Sequence, residues 1–265
     1  VVVFLPGIAE IQEVARALEA IAPPELAAVP LHSLVEPAAQ DAAVAPPRAG
    51  FRKVVLCTNI AESSVTVAGC AYVVDLGLEK LPFLDPRANL EAMVLARCSV
   101  ASARQRAGRC GRTGPGFCLR LFPKALVDGA AARADSPGPG VMAPTTVPAM
   151  LRTSLANLVL KVKMAQPAAA AAQVLSEALD PPDVSSVTAA TADLVAMGAL
   201  TQGGRAVTPL GALVASLPTT AALGRLLVLG DALGCPREAA VIAASLALPD
   251  VFVQPFALGP VPGLA

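Results

Sequence analysis

The chain has 265 residues, of which 55% are hydrophobic and 15% charged, and its formal net charge at pH 7 is zero. This length and apolar content allow one large domain or two to three small ones, and the neutral charge by itself points to no particular partner. No uninterrupted apolar run reaches the roughly 18 residues that a membrane-spanning helix needs, and no basic segment precedes residues 1–5, so neither a transmembrane segment nor a signal peptide is expected.

The six cysteines form no CxxC pair and have no metal-ligand spacing. This pattern favours buried, reduced thiols in an intracellular protein, located in the nucleus or the cytoplasm, and it predicts no metal site in the chain.

The first half of the chain alternates apolar runs with helical or polar segments. Residues 1–5 are all apolar and end at Pro6-Gly7, which predicts a strand buried on both faces, and helical spacing of apolar residues follows from Ile8. Further strands are predicted at 29–33, 53–58, 72–75 and 116–122, with a loop and short helix over 36–50 and a hairpin over 80–97. Strands separated in this way indicate an α/β architecture with a parallel sheet. Because the chain starts inside a core strand, we expect it to be a fragment.

The second half is predicted to be mostly helical after a Pro/Gly linker at residues 136–140. A helix starts after residues 180–183 and stops at Gly198, with one apolar side formed by Val184, Val187, Thr191, Leu194 and Val195. A small hairpin around Gly203-Gly204 follows, and a helix with a two-stranded wing suggests a winged-helix module. Apolar helices continue from Pro209 and break at residues 234–236.

Residues 105–114, with the sequence QRAGRCGRTG, carry the most chemistry. On a continuous helix, Gln105, Arg109 and Arg112 would share a stripe about 60° wide. Guanidinium groups suit such a surface to phosphate because they are planar, always charged and bidentate. The simpler alternative is an exposed basic face, but two glycines, each costing a helix about 1 kcal/mol, are hard to explain there. Residues 92–127 contain seven basic residues and no acidic one, so a local positive field is predicted.

Residues 58–67, with the sequence TNIAESSVTV, place four hydroxyl groups and one amide between two predicted strands. Such groups at the carboxyl end of a parallel strand lie where ligands bind in α/β sheets. Ordinary turn chemistry is the alternative. The same two alternatives apply to Asp75 at the end of the next strand, for which packing or a hydrogen bond to a nearby turn is favoured over ligand binding.

Residues 58–67 resemble motif V of the DEAH-box (DEAH/RHA) RNA helicases, and residues 105–112 resemble their motif VI. Residues 4–7 (FLPG) resemble motif IV, and residues 31–33 match a short strand between these motifs. Residues 179–182, 198–200 and 208–211 are similar to the family's winged-helix and ratchet segments. The resemblance covers nearly the whole chain in the family's order.

The resemblance implies an α/β RecA-like domain, with a parallel sheet and flanking helices, followed by a winged helix and a helical ratchet-like segment. The expected boundaries are 1–130 for the second RecA-like helicase domain, 131–205 for the linker and winged helix, and 206–265 for the start of the ratchet-like domain.

The resemblance also implies roles for the motif VI residues. Gln105 would orient the attacking water, and Arg109 and Arg112 would contact the phosphates of the nucleotide as arginine fingers. Arg106 points about 100° away from Gln105 on a helix and would instead support the helix or a carboxylate such as Glu62.

Nucleotide contacts are expected from Ser64 and Thr66. Val44 occupies the position where an aromatic side chain often stacks on adenine, so only apolar contact with the base is expected. Ala68 replaces an aspartate found in many family members, which puts a ribose contact in doubt, and Ser63 replaces a common threonine.

RNA contacts are expected from Thr58 and Asn59 in motif V and from Gly7, whose lack of a side chain would let the main chain approach a phosphate. His32 is expected on a strand, with a structural role or a place near RNA. The hairpin over 80–97 would separate strands or meet the 5′ end of the RNA.

No GxxxxGK[ST] loop and no Asp-Glu-x-His sequence occurs in the 265 residues. The resemblance therefore implies that ATP binds with Mg²⁺ whose ligands belong to a preceding RecA-like domain, and that this chain does not hydrolyse ATP alone. The implied function is that of a fragment of an ATP-dependent RNA helicase, acting in 3′–5′ unwinding or in remodelling of RNA–protein complexes. A non-catalytic RNA-binding scaffold is the alternative, and a DNA-acting relative is a third. The implied partners are RNA and the first RecA-like domain, with an activator protein left open and no membrane.

Overall fold

The computed structural model describes residues 1–21, 23–47, 49–63, 65, 67–85, 90–112, 114–132 and 141–248. These residues divide into two compact units. The first contains the described residues of 1–81 and 93–146, and the second contains those of 82–92 and 147–248.

The first unit is built on a parallel sheet of five strands in the described residues, in the order β2-β3-β1-β4-β7. The strands are β1 (Val2–Phe4), β2 (Leu26–Leu31), β3 (Arg52–Cys57), β4 (Tyr72–Asp75) and β7 (Phe117–Arg120). The register pairs Phe4 with both Cys57 and Asp75, and it pairs Leu31 with Cys57. The carboxyl ends of four strands therefore lie level along one edge of the sheet.

The sheet is flanked by α1 (Ile8–Ile21), α2 (Pro37–Val44), α3 (Ile60–Ser63) and α4 (Val100–Ala107), whereas α5 (Ala125–Ala132) packs in a further apolar cluster with α4. The packing of strand β3 shows why its last four residues are all apolar. Val54 and Leu56 pack in one cluster with Ile11 of α1, whereas Val55 and Cys57 belong to a second cluster with Ala61 of α3. Successive side chains of a strand point to opposite faces, so a strand buried on both faces has no polar position.

Strands β5 (Leu78–Asp85) and β6 (Leu90–Arg97) form a separate two-stranded sheet, which confirms the predicted hairpin. Most of β6 is exposed, including Met93, Val94 and Leu95.

The second unit contains a 3₁₀ turn (Ala149–Leu151) and helices α6 (Ala156–Ala165), α7 (Ala171–Ser176), α8 (Val184–Ala196), α9 (Pro209–Ser216), α10 (Ala221–Ala232) and α11 (Pro236–Ala247). Its core includes Val159, Leu160, Val187, Leu194 and Leu200. After α8, a single antiparallel bridge joins Leu200 to Val207, and Gly203 and Gly204 turn the chain with φ of +81° and +69°. The helix and its wing are thus present, although the wing is only one bridge long.

The parallel sheet with flanking helices and the helical second unit confirm the predicted fold class. Several details are wrong, among them the start of β2 at Leu26 rather than 29 and the end of β7 at Arg120 rather than 122. Val184 was expected on the buried side of α8, but it is 68% exposed because it begins the helix. Strand β2 ends at Leu31 rather than at residue 33, because the carbonyl of His32 accepts a hydrogen bond from Val35 N (3.0 Å) and starts a turn.

Among the described residues, no single helix is both long and apolar enough to cross a membrane. Helices α9 and α10 satisfy the length and composition test only when taken together, and they are bent by 113° at their junction.

Candidate functional site

Motif VI begins on α4, whose first turn is fixed by a serine cap. The Ser99 hydroxyl accepts a hydrogen bond from Ser102 N (3.0 Å) and another from the Thr146 hydroxyl (3.0 Å). Ser99 is 3% exposed, so this cap is a buried anchor rather than a surface feature.

The helix ends at Ala107, and the predicted stripe of Gln105, Arg109 and Arg112 on one helix is therefore wrong. Gly108 is the C-terminal cap, and the chain continues in tight turns in which Arg109 N donates to Arg106 O (3.0 Å). Gly111 has φ +80°, a left-handed conformation that only glycine adopts without strain. Of the two glycines that made a solvated helix face improbable, Gly108 caps the helix and Gly111 lies in the turns that follow it.

In the loop after α4, the backbones of Gly111 and Gly116 lie in close contact. A Cβ atom on Gly116 would lie 2.7 Å from Gly111 Cα and would also overlap the Gly111 amide nitrogen. The two backbones can approach this closely only because residue 116 has no side chain. Arg112 is therefore presented on a short loop with a fixed base.

The three predicted catalytic residues differ in their exposure. Gln105 on α4 and Arg112 on the loop are exposed, whereas Arg109 is half-buried. Within the part of the chain that the structure describes, Arg109 Nε is buried without a hydrogen-bond partner. A buried donor without a partner is unusual in a folded protein.

Arg106 is the centre of a buried ionic cluster. Its guanidinium donates to Glu62 Oε2 (3.1 Å), Asp75 Oδ1 (3.0 Å) and Glu79 Oε2 (3.3 Å), and also to the carbonyl of Leu78 (3.2 Å). Arg106 is 1% exposed, and its guanidinium carbon lies 5.3 Å from the centre of the Phe4 ring. The predicted contact with Glu62 is confirmed, and Arg106 is removed from the predicted positive field.

This cluster joins motif V to motif VI. Glu62 lies on α3, Asp75 ends β4 and Glu79 lies on β5, while the second oxygen of Glu62 accepts from the Ser102 hydroxyl of α4 (2.7 Å). Asp75 Oδ1 also accepts from Gly77 N (2.9 Å), which confirms the predicted bond from Asp75 to a nearby turn.

The cluster also perturbs nearby titrations. Burial alone would lower the pKa of Arg106, but the negative charges around it and its hydrogen bonds to Asp75 and Glu62 outweigh this, so its pKa is raised. Burial raises the pKa of the neighbouring Cys98 thiol to about 12. All six cysteines are free, and among the described residues no group of three or more histidine, cysteine or acidic side chains could hold a metal ion.

Motif V leaves the carboxyl end of β3 and turns directly into α3. Ala61 N donates to Thr58 O (3.3 Å) and Glu62 N donates to Asn59 O (2.9 Å). Thr58 is half-buried and Asn59 is exposed at the edge of the sheet. Two predicted nucleotide contacts, Ser64 and Thr66, lie outside the described residues.

The remaining part of motif V neighbours the loop of motif VI and the end of α2. Val65, Val67 and Cys110 pack on the same apolar cluster. The half-buried Val44 ends α2, and its carbonyl accepts from Ala68 N (3.5 Å). The two positions that depart from the family pattern, Val44 and Ala68, are thus direct neighbours.

The residues predicted to meet RNA follow the level strand ends. Gly7 follows β1, Thr58 and Asn59 follow β3, and His32 follows β2 at the same edge of the sheet. The Nδ1 atom of His32 accepts from Leu34 N (3.1 Å), which requires that nitrogen to be unprotonated. Burial and the positive charge of Lys80 lower the pKa of His32.

Three residues at this site, Glu79, Lys80 and Glu10, were not predicted from the sequence. Glu79 belongs to the Arg106 cluster, and Lys80 forms an ion pair with Glu10 beside Gly7, with both oxygens of the carboxylate 3.1 Å from the ammonium. No local spacing could have indicated these contacts, because the partners are 27 and 70 residues apart in the chain.

Buried hydrogen bonds join motif V to motif VI at one parallel sheet, and a helix with a short wing follows along the chain. These features define a second helicase domain with a winged helix. Residues 1–114 match the family described as the helicase conserved C-terminal domain. The chain is 37% identical over 268 residues to the mouse "ATP-dependent RNA helicase TDRD9" (97% of this chain, 18% of the relative) and 38% identical over 256 residues to the human "Probable ATP-dependent RNA helicase DHX34" (95% and 21%).

The crystal structure of the Escherichia coli DEAH/RHA helicase HrpB superposes with a TM-score of 0.82 at 32% identity, covering 99% of this chain and 32% of that one. The chain belongs to the DEAH-box (DEAH/RHA) helicase family. It spans about a fifth of the length of the curated relatives it matches.

Proposed function

We propose that the chain is part of an ATP-dependent RNA helicase, in which its first unit supplies one wall of the ATP site and the adjoining contacts to the RNA backbone. The observation that carries this proposal is the buried cluster of Arg106, Glu62 and Ser102, which holds motif V and motif VI together. A rigid connection of this kind lets a change at the RNA-facing motif reposition the nucleotide-facing motif.

On the nucleotide side, Arg109 and Arg112 act as arginine fingers that stabilise negative charge on the transferred phosphoryl group, and Gln105 orients the attacking water. The unpartnered Nε of Arg109 supports this assignment among the described residues, because a phosphate oxygen would satisfy it. Val44, Ser64 and Thr66 are further proposed nucleotide contacts, with apolar contact from Val44 to the base. Bound ATP supplies the phosphoanhydride bond whose cleavage drives the cycle.

On the RNA side, Gly7, His32, Thr58 and Asn59 contact the backbone rather than the bases. Small and polar groups at one edge of the sheet support this view, since phosphate contacts position a strand without specifying its sequence. Binding is therefore expected to be independent of sequence and to weaken as salt increases.

The phosphate loop and the Mg²⁺ ligands are supplied by another RecA-like domain of the longer protein. This part of the proposal rests on the chain's small share of its relatives' length and on the lack of both motifs in the sequence. The chain alone is then inactive, and the domain opposite it is its first partner.

The test is RNA-stimulated ATPase and unwinding of a 3′-tailed duplex by the full-length protein, compared with a variant carrying both Arg109→Ala and Arg112→Ala. Loss of both activities with RNA binding retained is the expected result. Absence of RNA-stimulated ATPase in the wild-type protein would favour a non-catalytic scaffold, and unchanged ATPase in the variant would contradict the arginine-finger roles. Steady turnover by residues 1–265 alone would contradict the half-site proposal. A preference for DNA over RNA as the stimulating strand would identify a DNA-acting relative.

A further inference from the structure

Lys80 and Glu10 form an ion pair at the edge of the sheet where the RNA contacts are proposed. The Lys80 ammonium lies 3.1 Å from both oxygens of Glu10, and each side chain is 33% exposed. An ion pair this exposed contributes little to the stability of a fold. The fold therefore loses little if another anion replaces the carboxylate.

The pair lies directly over the main chain of Gly7. A Cβ atom on Gly7 would be 2.7 Å from Lys80 Nζ and 2.9 Å from Glu10 Oε2, so both charged groups occupy the space that the missing side chain leaves. The absence of a side chain at Gly7 thus serves the approach of a cation and an anion to the backbone.

The Glu10 carboxylate also lies at the amino-terminal end of α1. The first turn of this 14-residue helix is held by a hydrogen bond from Ile11 N to Gly7 O (3.1 Å). Burial would raise the pKa of Glu10, but hydrogen bonds from its own backbone N–H and from Lys80, together with the charge of Lys80, outweigh burial and lower it. A helix N-terminus with a lysine beside it favours a bound anion, and here an intramolecular carboxylate occupies it.

We propose that Lys80 and the amino end of α1 form a phosphate-contact site for the RNA backbone, and that the Glu10 carboxylate occupies this site until an RNA phosphate displaces it. The inference rests on the proposed RNA-binding function and adds one contact residue and one intramolecular competitor to it. The titratable ring of His32 is also close enough to Lys80 for the two charges to interact.

The experiment measures the binding of a labelled single-stranded poly-uridine RNA to the full-length protein over a series of salt concentrations. Lys80→Gln should weaken binding at low salt about tenfold, the effect of one charge-assisted hydrogen bond. It should also reduce the slope of log K against log salt by about 0.7, the contribution of one phosphate contact to a single strand. Lys80→Arg should retain most of the affinity and the full slope.

Glu10→Gln should tighten RNA binding roughly two- to fivefold, because it removes a weak competing ion pair. The double variant should bind like Lys80→Gln alone, since Glu10 acts only through Lys80. Lys124→Gln is the matched control. Lys124 is also an exposed lysine paired with an acidic residue, but that residue is Asp128 of α5 rather than Glu10 of α1. Its affinity and slope should match those of the wild type.

Wild-type affinity and slope in Lys80→Gln would overturn the inference, and so would weaker binding by Glu10→Gln, which would make the pair structural. A raised KM for ATP with unchanged RNA affinity would assign the site to nucleotide phosphate and would also overturn it. If the wild-type protein itself shows no salt-dependent RNA binding, the proposed function fails as well. Salt-dependent binding in all variants alike overturns this inference only.

Discussion

Replacing Arg106 should be among the most damaging single changes in the first unit. Arg106→Met keeps most of the side-chain volume but removes the guanidinium that Glu62, Asp75 and Glu79 share. Those carboxylates have side-chain exposures of 12%, 0% and 5%, so water cannot take over the role of the missing cation.

Breaking a buried ion pair by removing one partner typically costs about 3–5 kcal/mol. A domain has a free energy of unfolding of about 5–15 kcal/mol, so the variant should be severely weakened or unfolded. Glu79→Gln should cost only about 1 kcal/mol, because its 3.3 Å bond is the longest of the three and Arg106 keeps the other two. Asp75→Asn should fall between these values, since Asp75 is fully buried and also accepts from Gly77 N.

Urea unfolding of the chain, followed by circular dichroism, measures these costs from the shift of the midpoint at a common slope. Glu79→Gln should be the least destabilised variant, Asp75→Asn should be intermediate, and Arg106→Met should be the most destabilised. The control is Arg104→Met, which changes an exposed arginine of α4, the helix that carries Arg106, and should leave the midpoint unchanged. Lys163→Met would not serve as a control, because Lys163 is itself buried. An Arg106→Met variant within about 1 kcal/mol of the wild type would contradict this prediction, because a buried charge cluster cannot lose its central cation at so small a cost.

Three further predictions concern the same unit. Gly116→Ala should displace the loop that carries Arg112 and lower ATPase activity in the full-length protein, whereas Gly114→Ala, where a Cβ meets nothing within 4 Å, should be silent; equal activities would contradict the close-packed loop. Ser99→Ala should cost about 1–2 kcal/mol in a thermal melt through the lost cap of α4, and a melting temperature equal to that of the wild type would show that the cap is dispensable. The pKa of His32 is lowered in the folded protein, so the unfolded chain binds the proton more readily and the free energy of unfolding should fall as the pH drops below about 6.5. In His32→Asn this fall should be smaller, and equal pH dependence in both proteins would contradict the lowered pKa of His32.

The sheet could be predicted because doubly buried strands have a local signature. Strand β1 lies within the predicted run 1–5, and β3, predicted at 53–58, was found one residue earlier at Arg52–Cys57. The contact of Arg106 with Glu62 was also predictable, because the 100° step of a helix turns Arg106 away from Gln105, and Glu62 is an acidic residue of the neighbouring motif.

The end of α4 could not be predicted from helical periodicity, because periodicity does not indicate where a helix stops. The helix ends at the Gly108 cap, and the loop beyond it depends on Gly111 adopting φ +80° and on the close approach of Gly116, which is a tertiary contact. Lys80 and Glu10 were missed for a related reason: only the parallel order of β1 and β4 brings the segments that follow them together. Local patterns therefore located the motifs, and the sheet topology determined which side chains meet.

The most direct test of the central claim is the rate of ATP hydrolysis by the full-length protein with Arg109→Ala, measured at saturating ATP and RNA. Because an arginine finger contributes at least about 10³-fold to the rate of phosphoryl transfer, we expect a loss of that size, with the affinities for ATP and RNA nearly unchanged. Arg104→Ala, which removes an exposed arginine of α4, should hydrolyse ATP like the wild type. Wild-type hydrolysis by Arg109→Ala would contradict the proposed role, because Arg109 would then not stabilise the reacting phosphate.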